Sequence, residues 1–116
     1  MNRLALAAAL TGFSGVTLGA FGAHGLGDRL TTESLGWWDT ATLYTLVHAI
    51  AALTVSRSKD AAKPAGWAFI IGAIIFGGSL YALALGAPRI MGAITPIGGV
   101  SFLFGWGMLA WRATRS

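Results

Sequence analysis

Four stretches of the chain contain no Lys, Arg, Asp or Glu and are long enough to suggest membrane helices. They are Leu4–Ala23, Thr40–Val55, Ala65–Ala87 and Pro96–Trp111. A helix needs about 20 apolar residues to cross a bilayer, because each residue rises about 1.5 Å across a hydrocarbon core of about 30 Å. The pattern predicts an all-α integral membrane protein, a single-domain four-helix bundle that spans the membrane at about 4–23, 38–56, 65–87 and 95–112.

The second charge-free stretch is short, so its helix is expected to begin before Thr40. Thr32 is the predicted N-cap, and Glu33 falls in the first turn, where a carboxylate interacts favourably with the helix dipole. Trp37 and Trp38 would then lie at the level of the lipid headgroups, where indole side chains are favoured.

The predicted start of the fourth helix depends on which position of the helix Pro96 occupies. Thr95 followed by Pro96 is typical of an N-cap and a proline at the first helical position, and Pro88 and Gly92 disfavour a helix before it. The alternative is a helix that starts near Ile90 and kinks at Pro96. We favour the first interpretation, which makes the preceding residues an apolar loop at the membrane interface.

The composition agrees with a lipid environment. Hydrophobic residues make up 55% of the chain and charged residues 10%, whereas a soluble domain carries charge on about 25% of its positions. The chain has no cysteine, which excludes disulfides, thiolate metal sites and cysteine nucleophiles. The net charge of +4 is explained by basic residues that flank membrane helices, so we expect membrane lipid and no nucleic acid as a partner.

The basic residues are distributed unevenly between the gaps that separate the apolar stretches. Only Arg29 and Arg89 fall on one side of the predicted membrane. The positive-inside rule therefore predicts that both termini lie in the cytoplasm, in a bacterial inner (plasma) membrane. The six basic residues on the cytoplasmic side are Arg3, Arg57, Lys59, Lys63, Arg112 and Arg115.

Glycine is unusually frequent, with 17 residues in 116. Lipid removes the ordinary hydrophobic drive between helices, so helices in a membrane pack closely where small side chains let their backbones approach. At 100° per residue the glycines of the first helix share one face. The predicted helix-packing positions are Gly12, Gly15, Gly19, Gly77, Gly98 and Gly99.

His48 is the ionisable residue that falls deepest in the predicted membrane. If its helix enters the bilayer near Trp38, His48 lies about 15 Å deep, close to the bilayer centre. An ionisable group at that depth is a functional candidate. We favour the competing interpretation, a neutral imidazole that bonds to Tyr44, Ser79 or a neighbouring carbonyl and holds helices together.

Other polar residues extend this candidate site. His24 ends the first helix near Asp28, Glu33 and Asp39, but the sequence does not predict that these converge on a metal, and no haem or other cofactor is expected. Glycines before Ser79 interrupt the third helix, either to open a substrate site or to accommodate a ring such as Trp106 or Phe104. The candidate intramembrane polar cluster comprises His24, Tyr44, His48, Ser79, Tyr81 and Thr95.

Five separated motifs resemble a known family across nearly the whole chain. They are LGAFGAHGL at 18–26, TAxxYxxxHA at 40–49, GGSLY at 77–81, TPIGG at 95–99 and GW at 105–106. In this order they resemble the domain of unknown function 423 family, which is similar to the bacterial YgdD-type inner-membrane proteins and to transmembrane protein 256. The resemblance implies a small integral membrane protein and no particular reaction. Gly77 departs from the serine usual in that family.

No motif indicates catalysis, so the first hypothesis is a non-enzymatic membrane protein that acts by helix–helix association. Its partner would be a second copy of the chain or a larger membrane complex. The alternative is a small transporter or proton-coupled channel that uses His48 within the membrane. A third possibility is lipid binding in a groove beside the apolar segment Ile90–Ile94.

Overall fold

A computed structural model describes residues 1–116 and contains four helices joined by short connections. We number them α1 (Arg3–His24), α2 (Thr32–Val55), α3 (Asp60–Ala84) and α4 (Met91–Ala113). The predicted all-α class is confirmed. Three helices, α1, α3 and α4, are long and apolar enough to cross a membrane.

The second helix differs from the other three in its polarity. It is 24 residues long, yet it is not among the helices that are apolar enough to cross a membrane on their own. Glu33 and Asp39 lie in its N-terminal part, and Thr45 and His48 are buried further along. Its N-cap is Thr31, one residue before the predicted Thr32, so that prediction is wrong by one position.

The glycine face of α1 packs against α2 along most of its length. A Cβ placed on Gly12 would lie 3.7 Å from the Cβ of Ala49, and one placed on Gly19 would lie 2.9 Å from Thr42. Gly15, between them, also contacts α2. Residue numbers fall along α2 as they rise along α1, so the two helices run antiparallel and in close contact from end to end.

Glycines of α4 hold it equally close to α3. Gly98 faces the backbone and the Cβ of Phe76, and a Cβ placed on Gly105 would lie 2.5 Å from the ring of Phe69. Gly99 is different, because no atom of another helix lies within 4 Å of a Cβ placed on it. Gly99 therefore makes no close helix contact within a single chain, and its packing role stays a prediction.

Residues Ala73–Gly77 form a π-helical turn in the middle of α3, and α3 is α-helical on both sides of it. The glycine that admits a neighbouring ring is Gly72, where a placed Cβ would lie 2.5 Å from Phe102. The sequence suggested Trp106 or Phe104 for this role, and Phe104 is instead exposed. Such π-turns are frequent at functional sites, and here the turn lies where α3 meets both α2 and α4.

The fourth helix begins at Met91 and contains Pro96 in its interior. The favoured prediction of a start at Thr95 is wrong, and the alternative of a helix that begins near Ile90 is correct. Met91 and Gly92 donate their N–H groups to carbonyls of the preceding turn, at 3.0 and 2.9 Å. Pro96 lies only two turns in and removes a single backbone bond, while the Thr95 hydroxyl donates to the carbonyl of Met91.

Candidate functional site

His48 lies in a buried cluster of aromatic rings at the centre of the molecule. Only 4% of the residue is exposed. Its imidazole stacks on the ring of Phe102, with centroids 3.6 Å apart and an interplanar angle of 12°. Phe69 and Trp106 approach from the sides, with centroids at 5.4 and 5.9 Å. The imidazole is packed as a core aromatic ring.

Both ring nitrogens of His48 have hydrogen-bond partners. The indole N–H of Trp106 donates to Nε2 at 3.0 Å, so Nε2 carries no proton. Nδ1 lies 2.8 Å from the carbonyl oxygen of Tyr44 and must be the donor, because a carbonyl can only accept. The imidazole is therefore neutral, with its single proton on Nδ1, and it links α2 to α4.

Tyr44 contributes its backbone carbonyl to this contact rather than its hydroxyl. Its ring lies parallel to the imidazole with centroids 6.1 Å apart, and 41% of the residue is exposed. The sequence predicted that Tyr44 and His48 belong to one intramembrane polar cluster. Tyr44 instead lies at the edge of the aromatic cluster, and its hydroxyl makes no hydrogen bond within the protein.

Ser79 and Thr95 form a second polar contact, which links α3 to α4. Their hydroxyl oxygens are 2.6 Å apart, and Ser79 is buried. Each hydroxyl also lies within reach of a carbonyl of its own helix, that of Phe76 for Ser79 and that of Met91 for Thr95. The two helices are joined here, immediately after the π-helical turn.

Tyr81 takes part in a third contact, which joins α3 to α2 and through it to α1. Its hydroxyl lies 2.6 Å from the hydroxyl of Thr42, and its ring meets the ring of Trp38 edge to face at 4.6 Å. The indole N–H of Trp38 donates to the carbonyl of Leu18 at 2.7 Å. The indole fits there because Gly22 has no side chain to block it.

His24 lies apart from all of these contacts. It is exposed at the C-terminal end of α1, and it forms no ion pair, because Lys63 and Asp60 make the only salt bridge in the chain. No group of three His, Asp or Glu side chains lies close enough to hold a metal ion. The predicted single cluster is thus three separate interhelical contacts, and His24 belongs to none of them.

Thr45 is the one buried side chain whose polar atom has no hydrogen-bond partner. Its hydroxyl points toward the π-helical turn, where a Cβ placed on Gly77 would lie 2.7 Å from Oγ1. Glycine at position 77 leaves room for the hydroxyl but offers no group to bond it. A buried hydroxyl without a partner costs free energy, so this point is a weak place in the contact between α2 and α3.

Sequence reasoning missed several residues that complete these contacts. The signal that could have found those on α2 is a spacing of three and four residues, which marks one helix face. The predicted cluster took Tyr44 and His48, which are four residues apart, whereas the buried face follows alternating steps of three and four residues. The buried residues of α2 are Trp38, Ala41, Thr45, His48, Ala49, Ala52 and Val55.

Three apolar helices of membrane-crossing length, joined with α2 by hydrogen bonds inside the helical core, define a small integral membrane protein. The profile of the family described as "Protein of unknown function (DUF423)" matches residues 18–99. The chain belongs to this family, as its motifs suggested.

Relatives with high similarity cover almost the whole chain. A "UPF0382 membrane protein" of Haemophilus influenzae is 43% identical over 119 residues, which are 99% of this chain and 96% of the relative. One of Staphylococcus epidermidis is 42% identical over 110 residues, 91% of this chain and 90% of the relative. The "UPF0382 inner membrane protein YgdD" of Escherichia coli is 40% identical over 113 residues, which are 93% of this chain and 86% of the relative. These names and the apolar helices confirm the predicted inner-membrane location. No solved structure matches the chain.

Proposed function

We propose that this protein is not an enzyme and that it works by associating with a second copy of itself through the outer face of α4. The observation that carries the proposal is the one-sided packing of α4. Gly98 and Gly105 hold α4 against α3, whereas Gly99 and Gly107 have no atom within 4 Å of a placed Cβ. In lipid such open small residues allow close approach of another helix.

The open face of α4 has the shape of a self-complementary contact. Gly99, Leu103 and Gly107 follow one another at intervals of four residues and therefore share one face. Leu103 is 71% exposed and forms a knob between two notches that are about 12 Å apart. The same surface on a second copy offers the same knob and notches, as a two-fold contact requires.

The glycine stripe of α1 does not support association with a second copy. Gly12, Gly15 and Gly19 are already occupied by α2. The rival hypothesis of transport also lacks support, because both nitrogens of His48 are bonded and the imidazole is packed among aromatic rings. Association through α4 is the function that this geometry favours.

Leucine at both Gly99 and Gly107 is expected to abolish self-association and to leave the fold intact. A Cβ at either position would have no other atom of its own chain within 4 Å, so we expect the loss to be confined to the contact between copies. We expect the dissociation constant of the dimer, measured by native mass spectrometry across a dilution series in a mild detergent, to rise about tenfold or more, the equivalent of about 1.4 kcal/mol.

Gly78→Leu is the matched control for this experiment. Gly78 is exposed on α3 and has equally open space around it, so its replacement should leave the dimer unchanged. A wild-type protein that is strictly monomeric, or one that dimerises as well with both substitutions in α4, would contradict the proposal.

We further propose that α2 is a fourth membrane crossing and that the chain forms a bundle with both termini in the cytoplasm. The antiparallel contact of α2 with α1 supports this, since a helix that lies along a spanning helix must also span. Leu43, Val47 and Ile50 lie in the middle of α2, and their exposed apolar side chains suit lipid. The excess of basic residues at the termini and around Lys59 supports the orientation.

Reporters fused at the C-terminus and after Lys59 are expected to indicate the cytoplasm in both cases. A reporter inserted after Arg29 should indicate the opposite side. An external signal from the C-terminal fusion would show that the proposed orientation is wrong. Opposite signals from the C-terminal fusion and the Lys59 fusion would show that the chain does not cross the membrane twice between these two points.

A further inference from the structure

A groove opens at the end of the molecule that lies opposite to the chain termini. It has a volume of about 310 Å³ and lies between the first turns of α2, the last turns of α3 and the first turns of α4. It is bordered by the loop that precedes α4 and therefore adjoins the apolar segment that the sequence singled out. Its main lining residues are Trp37, Leu80, Leu83, Arg89, Gly92 and Pro96.

The groove has an apolar wall and two polar groups without partners. Leu80 and Leu83 provide the apolar wall from α3. The guanidinium of Arg89 forms no ion pair, since the only salt bridge in the chain is at the other end of the molecule. The indole N–H of Trp37 has no acceptor within the protein, in contrast to that of its neighbour Trp38.

These donors select the charge of a ligand. A guanidinium offers five N–H donors in a fork that fits phosphate oxygens, and an indole offers one more. No carboxylate lines the groove, so a positively charged group would find no partner there. The lining therefore complements a phosphate whose charge is not balanced by a nearby amine.

The position of the groove indicates what the ligand carries besides the phosphate. Tryptophan and arginine are typical of the headgroup level at the end of a membrane helix. From Arg89 the groove continues along Leu80 and Leu83 toward the hydrocarbon region, where a water-soluble anion would gain nothing. A molecule that matches both parts has an anionic phosphate at one end and an acyl chain at the other.

We propose that this groove binds one anionic phospholipid, with its phosphate on Arg89 and Trp37 and an acyl chain along Leu80 and Leu83. The site goes beyond the association proposed above, because it lies at the α3 side of α4 and does not need a second copy. It also holds for either orientation of the chain in the membrane.

The test uses the full-length protein in a mild detergent and native mass spectrometry during titration with phosphatidylglycerol or phosphatidylethanolamine. The wild type is expected to bind one phosphatidylglycerol, and about tenfold more tightly than phosphatidylethanolamine. Arg89→Gln should lower the affinity for phosphatidylglycerol about tenfold and should lower the weaker affinity for phosphatidylethanolamine less, so that the preference between the two lipids is lost. Arg29→Gln is the matched control, because Arg29 lies on the same side but does not line the groove.

Filling the groove tests the acyl-chain part of the site separately. A Cβ placed on Gly92 would lie 3.8 Å from Leu83, which is an ordinary contact, so Gly92→Leu should fold and should lose both lipids. The melting temperature of each variant is measured in parallel to verify folding. Equal binding of both lipids by the wild type, equal loss with Arg29→Gln, or displacement of the lipid by inorganic phosphate at similar concentration would overturn the proposal.

Discussion

Replacement of Gly98 by alanine is expected to lower the free energy of unfolding by about 3 kcal/mol, the upper end of the usual cost of overpacking. A Cβ at this position would lie 2.7 Å from the Cβ and 2.8 Å from the Cα of Phe76. Backbone atoms cannot move aside as the end of a flexible side chain can. The two helices would therefore have to separate, and the adjoining contact between Ser79 and Thr95 would open with them.

The neighbouring residue provides an unusually close control for this substitution. Gly99 lies in the same helix and has nothing within 4 Å of a placed Cβ, so Gly99→Ala should leave the stability of the monomer, compared at a concentration where both variants are monomeric, unchanged or slightly higher. We expect a melting temperature about 10 °C lower for Gly98→Ala in detergent. If the two variants melted at the same temperature, the close approach of α3 and α4 at this point would be refuted.

Replacement of His48 by alanine is expected to cost about 3 kcal/mol, as truncation of a buried ring usually does. The change removes the ring that stacks on Phe102 and leaves the indole N–H of Trp106 without an acceptor. Thr40→Ala is a suitable control, because Thr40 is an exposed polar residue of the same helix. An equally stable His48→Ala variant would show that the imidazole is not part of the core.

A double-mutant cycle can separate the hydrogen bond from the packing. His48→Phe keeps an aromatic ring and lacks the acceptor, and Trp106→Phe lacks the donor. We expect a coupling energy of about 1 kcal/mol between the two sites, in the range of interhelical hydrogen bonds in membranes.

The same His48 variants in liposomes address the transport hypothesis, which requires that their proton flux differ from that of the wild type.

The sequence predicts a helix well where one long apolar run forms it. The bounds of α1, Arg3–His24, lie within one residue of the predicted stretch Leu4–Ala23, because an apolar run in lipid must satisfy its backbone groups by forming a helix. The start of α4 was mispredicted for the opposite reason. Helix propensities measured in water disfavour a helix through Gly92. Backbone N–H and C=O groups near lipid need hydrogen-bond partners, however, and this need outweighs the low propensity.

The polar contacts could be predicted only in part. His48, Ser79, Tyr81 and Thr95 were identified by residue type and depth, and each takes part in an interhelical hydrogen bond. Their partners could not be deduced, because which side chains meet depends on the rotation of each helix about its axis. That rotation is set by close contacts such as those of Gly98 with α3. Its neighbour Gly99 is also a glycine but has no atom of another helix nearby, and the sequence does not distinguish the two.

The polarity of α2 has a consequence for how the chain enters the membrane during synthesis. Released alone into lipid, this helix would expose Thr42, Thr45 and the imidazole of His48. In the folded protein α1 and α3 pack against the two threonines, and α4 packs against the imidazole. A segment of this kind partitions poorly from the translocon by itself. With the proposed topology, we expect α2 to insert stably only together with the helices that cover it, because α1 packs against Thr42 and Thr45 and α4 accommodates the imidazole of His48.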